Sequence, residues 1–139
     1  MSIINDFYKN NRILHDIYYT SSYNNHRRSR IIVISCCMRK YSKFIDLDSL
    51  LQDEYIRKIE RSCYNHTCTL ADKRNVPRSW QNKLFLHIYN STTYKVQKNL
   101  SYSSNDNNSN YLVDQIINNS FDVKNIGKTK SKDLFPDKT

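Results

Sequence analysis

Apolar residues recur along this chain at steps of three and four. Ile3, Phe7, Leu14 and Tyr18 predict a short helix within residues 3–19. Residues 21–25 form a polar break. Ile31, Ile34, Met38, Tyr41 and Ile45 then predict a helix over 27–45 with one apolar face. The β-branched run Ile31-Ile32-Val33-Ile34 would also suit a buried strand, but the sustained spacing beyond it favours helix.

The clearest helix is predicted over 47–71. Leu47, Leu51, Tyr55, Ile59, Cys63 and Leu70 make its stripe, with His66 or Thr67 filling the gap, and Arg57, Lys58 and Arg61 face outward. Asp46 or Asp48 can cap it. Asp53 and Glu54 read as further acids favoured near a helix start. Asn75 and Pro77 end it, and Pro77 suits the first turn of a helix over 78–100. There Trp80, Leu84, Ile88, Thr92 and Val96 point inward, widened by Phe85 and Tyr89.

Residues 101–110 are a polar loop, and 111–119 predict a short helix with Leu112 and Ile116 on one face. Val123 and Ile126 suggest a brief extended piece. Thr129 or Ser131 can cap a last turn holding Leu134 and Phe135, which Pro136 stops. The fold class is therefore all-α: a small helical bundle over 46–139, preceded by a basic N-terminal helical segment over 1–45.

Composition narrows the picture further. The 139 residues include one glycine and two prolines. Sandwiches, barrels and glycine-rich phosphate loops need many more positions with positive φ. Net charge is +9 with 25% charged residues, and mean hydropathy is -0.78. Residues 1–45 hold eight basic and two acidic side chains, so six of the nine net charges lie in the first third. That favours a local patch for an acidic partner over a uniform polycation. The longest apolar run is four residues, too short for a signal peptide or membrane span, so an intracellular, reducing location and no membrane partner are expected.

Cys63-x-x-His66-x-Cys68 has a metal-like look, with Cys36-Cys37 as a second pair. But 63, 66 and 68 do not share one helix face, and Cys63 belongs to the apolar stripe, so all four cysteines read as free thiols. No local signature ties His15, His26, His66 or His87 to a nucleophile. The expectation is no catalytic residue, no metal and no cofactor.

Several runs together resemble the central three-helix domain of the transcription elongation factor TFIIS, especially its virus-encoded relatives. Tyr55-Ile56-Arg57-Lys58-Ile59-Glu60-Arg61-Ser62 resembles the family's Ile-Glu helix. Arg78-Ser79-Trp80-Gln81-Asn82-Lys83-Leu84-Phe85, Tyr89, Tyr94 and Asn99-Leu100 resemble the next, which an Asn-Leu closes. Asn110-Tyr111-Leu112 with Ile116-Ile117, then Phe121 to Ile126 and Thr129 to Phe135, resemble its closing elements. About two thirds of the chain is covered.

The resemblance implies a module that docks on the large subunits of a multisubunit DNA-directed RNA polymerase and modulates elongation. It implies a nuclear site or a cytoplasmic viral replication site. The family's cleavage chemistry belongs to a zinc ribbon with an acidic pair, and the sequence stops at Thr139, where the linker to it would begin. A docking domain without that ribbon is expected, and hence no enzyme. The alternative is a small basic helical protein that binds DNA or RNA directly.

The residues expected to meet polymerase or nucleic acid are Arg27, Arg28, Arg30, Arg39 and Lys40 from the first third. Arg57, Lys58 and Arg61 come from the central helix, and Lys124, Lys128, Lys130 and Lys132 from the C-terminal segment. Trp80, on the inward stripe, is expected to anchor the core.

Overall fold

The computed structural model describes residues 24–101 and 110–134, and their regular structure is all helical, with no strand among them. The helix predicted within 3–19, residues 102–109 of the predicted loop, and Phe135 and Pro136 lie outside the described residues. Six α-helices occur among those described: α1 (Asn25–Met38), α2 (Ser42–Ile45), α3 (Ser49–Lys73), α4 (Lys83–Ser101), α5 (Tyr111–Ile117) and α6 (Ser131–Leu134). A 3-10 turn (Val123–Asn125) separates α5 from α6.

Polar side chains fix the helix ends. Asn24 caps α1 through Arg27 N, Asp48 caps α3 through Leu50 N, and Asn110 caps α5 through Val113 N. Asn82 accepts from the Leu84 and Phe85 amides at the start of α4. Helices α3 and α5 both end with an asparagine in the left-handed region, Asn75 at φ 56° and Asn119 at φ 59°. The amide of Val76 returns to the Ala71 carbonyl at 2.8 Å, and that of Ser120 to Gln115 at 2.9 Å. These close the last turns with asparagine in the place glycine usually takes.

Helices α1, α3 and α4 pack against one another, and the 3-10 turn lies on α3. Ile31, Ile34 and Met38 of α1 share one core with Phe44, Ile56, Ile59, Cys63, Val96, Leu100, Leu112 and Ile116. The boundary at 45/46 falls in the short link between α2 and α3, and residues on both sides fill this core. A second cluster of Cys68, Ala71 and Phe85, with Trp80 and Tyr64 against it, closes the other end.

The helical phase departs from the sequence reading in four places. The run over 27–45 breaks after Met38, and Ile45 is exposed. Leu51 is exposed on α3, whose buried face instead carries Gln52, Asp53 and Glu60 beside Ile56 and Ile59. Helix α4 begins at Lys83, so Trp80 belongs to the preceding turn and Leu84 points to solvent. Val123 and Ile126 sit in and after a 3-10 turn, not an extended piece. Ser131, at the start of α6, accepts a hydrogen bond from Asn99 Nδ2 at 2.9 Å.

Candidate functional site

The twelve basic residues singled out from the sequence separate into two environments. Arg27 and Arg39 on and just after α1 turn inward onto carboxylates of α3. Arg27 Nε and Nη2 donate to the two oxygens of Glu60, each at 2.8 Å, and the Tyr89 hydroxyl donates to the same carboxylate at 2.9 Å. Arg39 Nη2 donates to Asp53 at 2.8 Å and its Nε to Gln52 at 3.0 Å, with a further bond to Ser35. Both carboxylate side chains are 1% exposed. Asp53, read as a helix-start acid, is thus an ion-pair partner in the core. The order of the pairs, 27 with 60 and 39 with 53, shows that α1 runs antiparallel to α3. Arg30 reaches across to Asn90 on α4 at 3.2 Å. The charges of Arg27 and Arg39 are neutralised inside the bundle and add little to the outer field, whereas Arg30 meets neutral amides.

The remaining residues stay at the surface. Arg28 and Arg57 are half-buried, and the Arg57 Nε has no acceptor among the described residues. Lys40 and Arg61 are exposed, and Lys58 is paired with Glu54 at 2.9 Å one turn earlier. Lys124, Lys128, Lys130 and Lys132 are all exposed on the segment around the 3-10 turn.

That segment is pinned between α3 and α4, and the pinning gathers positive charge. Ser62 Oγ donates to the Lys124 carbonyl at 2.8 Å and accepts from the Gly127 amide at 2.9 Å. Lys95 Nζ, from α4, donates to the Gly127 carbonyl at 2.7 Å. His66 stands one helical turn beyond Ser62 on α3, on the same face. Its imidazole is held below the ordinary value, first by partial burial and then by the charges of Lys95, Lys73 and Lys128. Burial likewise lowers the Lys95 ammonium. The charges acting on His66 are all cationic. A corner that gathers these cations suits an anionic surface.

The sequence list contained Lys124 and Lys128 but not Ser62, His66, Lys73 or Lys95. The single glycine was the available signal. Gly127 marks where the loop backbone presses on α3, and hence where flanking lysines are brought against it.

The cysteines make no such constellation. Cys36 is exposed; Cys37, Cys63 and Cys68 are buried and unpaired. Burial, helped by nearby Glu60, pushes the Cys63 thiol up to about 12, so it stays a thiol at neutral pH. Among the described residues no three His, Cys, Asp or Glu side chains converge as a metal site. A native chain exposed to a thiol reagent is expected to gain one fast adduct, at Cys36, the other three waiting on unfolding. Peptide mass mapping over time checks this, and fast labelling of Cys63 would mean that the buried face of α3 opens readily. Among the described residues no helix is long and apolar enough to cross a membrane.

Comparison with protein families, with curated proteins and with solved structures finds no match to this chain.

Proposed function

We propose that this chain is a transcription-associated docking module that sets its basic corner against an acidic surface of a multisubunit RNA polymerase and so modulates elongation. The observation that carries this reading is the pinning of the Lys124–Lys128 loop against α3 and α4, which sets Lys128 with Lys95 and Lys73 among the charges acting on His66. Lys124 flanks the same pinned loop. The resemblance to the TFIIS central domain supplies the identity of the partner, and the helical bundle is compatible with it. The role proposed is binding. An intracellular site, in the nucleus or at a cytoplasmic viral replication site, follows from the same reading.

The test is an affinity pulldown of the tagged chain from its own cell or infected-cell extract, with nuclease, at physiological salt. Large polymerase subunits are expected in the eluate. A Lys124→Glu, Lys128→Glu double variant should fold normally, since both side chains are exposed, and should recover at least about tenfold less polymerase. An eluate without polymerase, or equal recovery by the charge-reversed chain, overturns the reading.

A further inference from the structure

On another face of α3 from the pinned loop's contacts with Ser62, the turn before α4 presents an aromatic ledge that the docking reading does not use. Trp80 is half-buried. Its indole meets Phe85 and Tyr89 edge-on, with centroids at 5.1 and 4.9 Å, and Tyr64 at 5.9 Å. These contacts fix the ring from the core side. On the outer side the His26 imidazole stacks on it nearly parallel, with centroids 5.2 Å apart and planes 21° apart. His26 is itself exposed. A flat ring therefore faces solvent, backed by a second ring that cannot turn away.

Beside the ledge lie two ion-paired arginines and one exposed lysine. The Arg27 guanidinium lies 4.0 Å from the centre of the Tyr64 ring. The charge of Arg78, which is exposed, also acts on Tyr64. Lys83 is exposed three residues beyond Trp80. The nearby carboxylates are already engaged. Glu60 is buried against Arg27, and Asp72 holds Arg78 in a fork at 3.0 and 2.5 Å. The Arg78–Asp72 pair is exposed on both sides and therefore weak, so its guanidinium is free to exchange onto a phosphate. A planar guest attached to phosphates suits the ledge, because every base has a face to stack and each nucleotide brings a negative charge that exposed Lys83 and a released Arg78 can meet.

We infer that the His26–Trp80 ledge is a stacking site for an unpaired base of single-stranded nucleic acid, with Arg78 and Lys83 placed to meet the adjoining phosphates. This does not rest on the polymerase reading; either can fail alone. Trp80 is the sole tryptophan, so its emission reports on the ledge without a label. The full chain is titrated at physiological salt with a single-stranded oligonucleotide of about ten nucleotides, and with an abasic strand of equal length and charge. Quenching is expected with the first and not the second. His26→Ala should weaken binding at least about fivefold, and His26→Tyr, which keeps a ring there, should restore it. Both variants alter an exposed side chain, and an unchanged thermal unfolding curve confirms that they fold. The inference is overturned if the abasic strand quenches equally, if no quenching occurs, or if His26→Ala binds like the parent chain.

Discussion

Arg27→Met is expected to lower the stability of the fold by about 3–5 kcal/mol, the usual consequence of stripping one partner from a buried ion pair. Glu60 sits on the inner face of α3 and its carboxylate takes two charged bonds from Arg27 and one from the Tyr89 hydroxyl. Methionine keeps the apolar stem but supplies no donor. The carboxylate would then be left in the core with a single neutral partner, and it would take up a proton rather than remain charged. Burial and the adjoining Glu60 charge also raise the Tyr89 hydroxyl well above its ordinary value, so it stays a donor throughout. Urea unfolding measures the loss, as a fall in midpoint at unchanged slope. Adding Glu60→Gln to Arg27→Met should recover part of it, because the uncompensated charge is gone. A loss below about 1 kcal/mol would mean that water reaches the pair and that it behaves like a surface bridge.

The same pair explains where sequence reading failed on α3. Apolar spacing placed Leu47, Leu51, Tyr55, Ile59 and Cys63 on one stripe and assumed that charge faces water. That assumption holds for Lys58 and Arg61, which are exposed. It fails at Asp53 and Glu60, seven residues apart and so on one face, because each has an arginine from α1 to receive it. A carboxylate's partner lies 14 or 33 residues away in sequence, and no periodicity records it. The inward face is therefore rotated toward Gln52, Asp53, Ile56 and Glu60, and Leu51 is left outside. Helix α4 shows a second failure of the same kind. Asn82 takes the capping bonds, so the helix starts at Lys83, and Phe85, Ile88, Tyr89, Thr92 and Val96 set the phase without Trp80 or Leu84. What the sequence did make legible was local: the helical class, Asp48 as a cap, the ends near Asn75 and Asn119, and the short helix holding Leu112 and Ile116. The basic corner was not local. Lys95 and Lys128 come from separate elements: the packing of α4 on α3 brings the first to His66, and the loop's fastening to Ser62 brings the second.

That fastening depends on one missing side chain. Gly127→Ala is expected to destabilise the chain by about 1–3 kcal/mol and to weaken partner binding as well. A β-carbon at 127 would lie 2.5 Å from the Ser62 carbonyl oxygen, 2.8 Å from its carbon and 3.0 Å from Cys63 Cα. All three atoms are helix backbone, so nothing flexible can yield. The glycine does not serve a left-handed turn, since its φ is not positive; Asn75 and Asn119 hold those positions. The penalty is steric alone, and the loop must lift away from α3 to relieve it. Lifting would break the Gly127 amide bond to Ser62 and the Lys95 bond to the Gly127 carbonyl, and it would carry Lys124 and Lys128 off the corner. Ser62→Ala separates the two effects. It deletes the hydroxyl that joins Lys124 and Gly127, at about 1–3 kcal/mol, but leaves room for the loop to stay seated. Thermal unfolding and the polymerase pulldown, run on both variants, should show Gly127→Ala losing more binding than Ser62→Ala at comparable loss of stability. A Gly127→Ala chain that unfolds with the parent would mean that the loop stands clear of α3 in solution, and the basic corner would then have no fixed geometry to offer a partner.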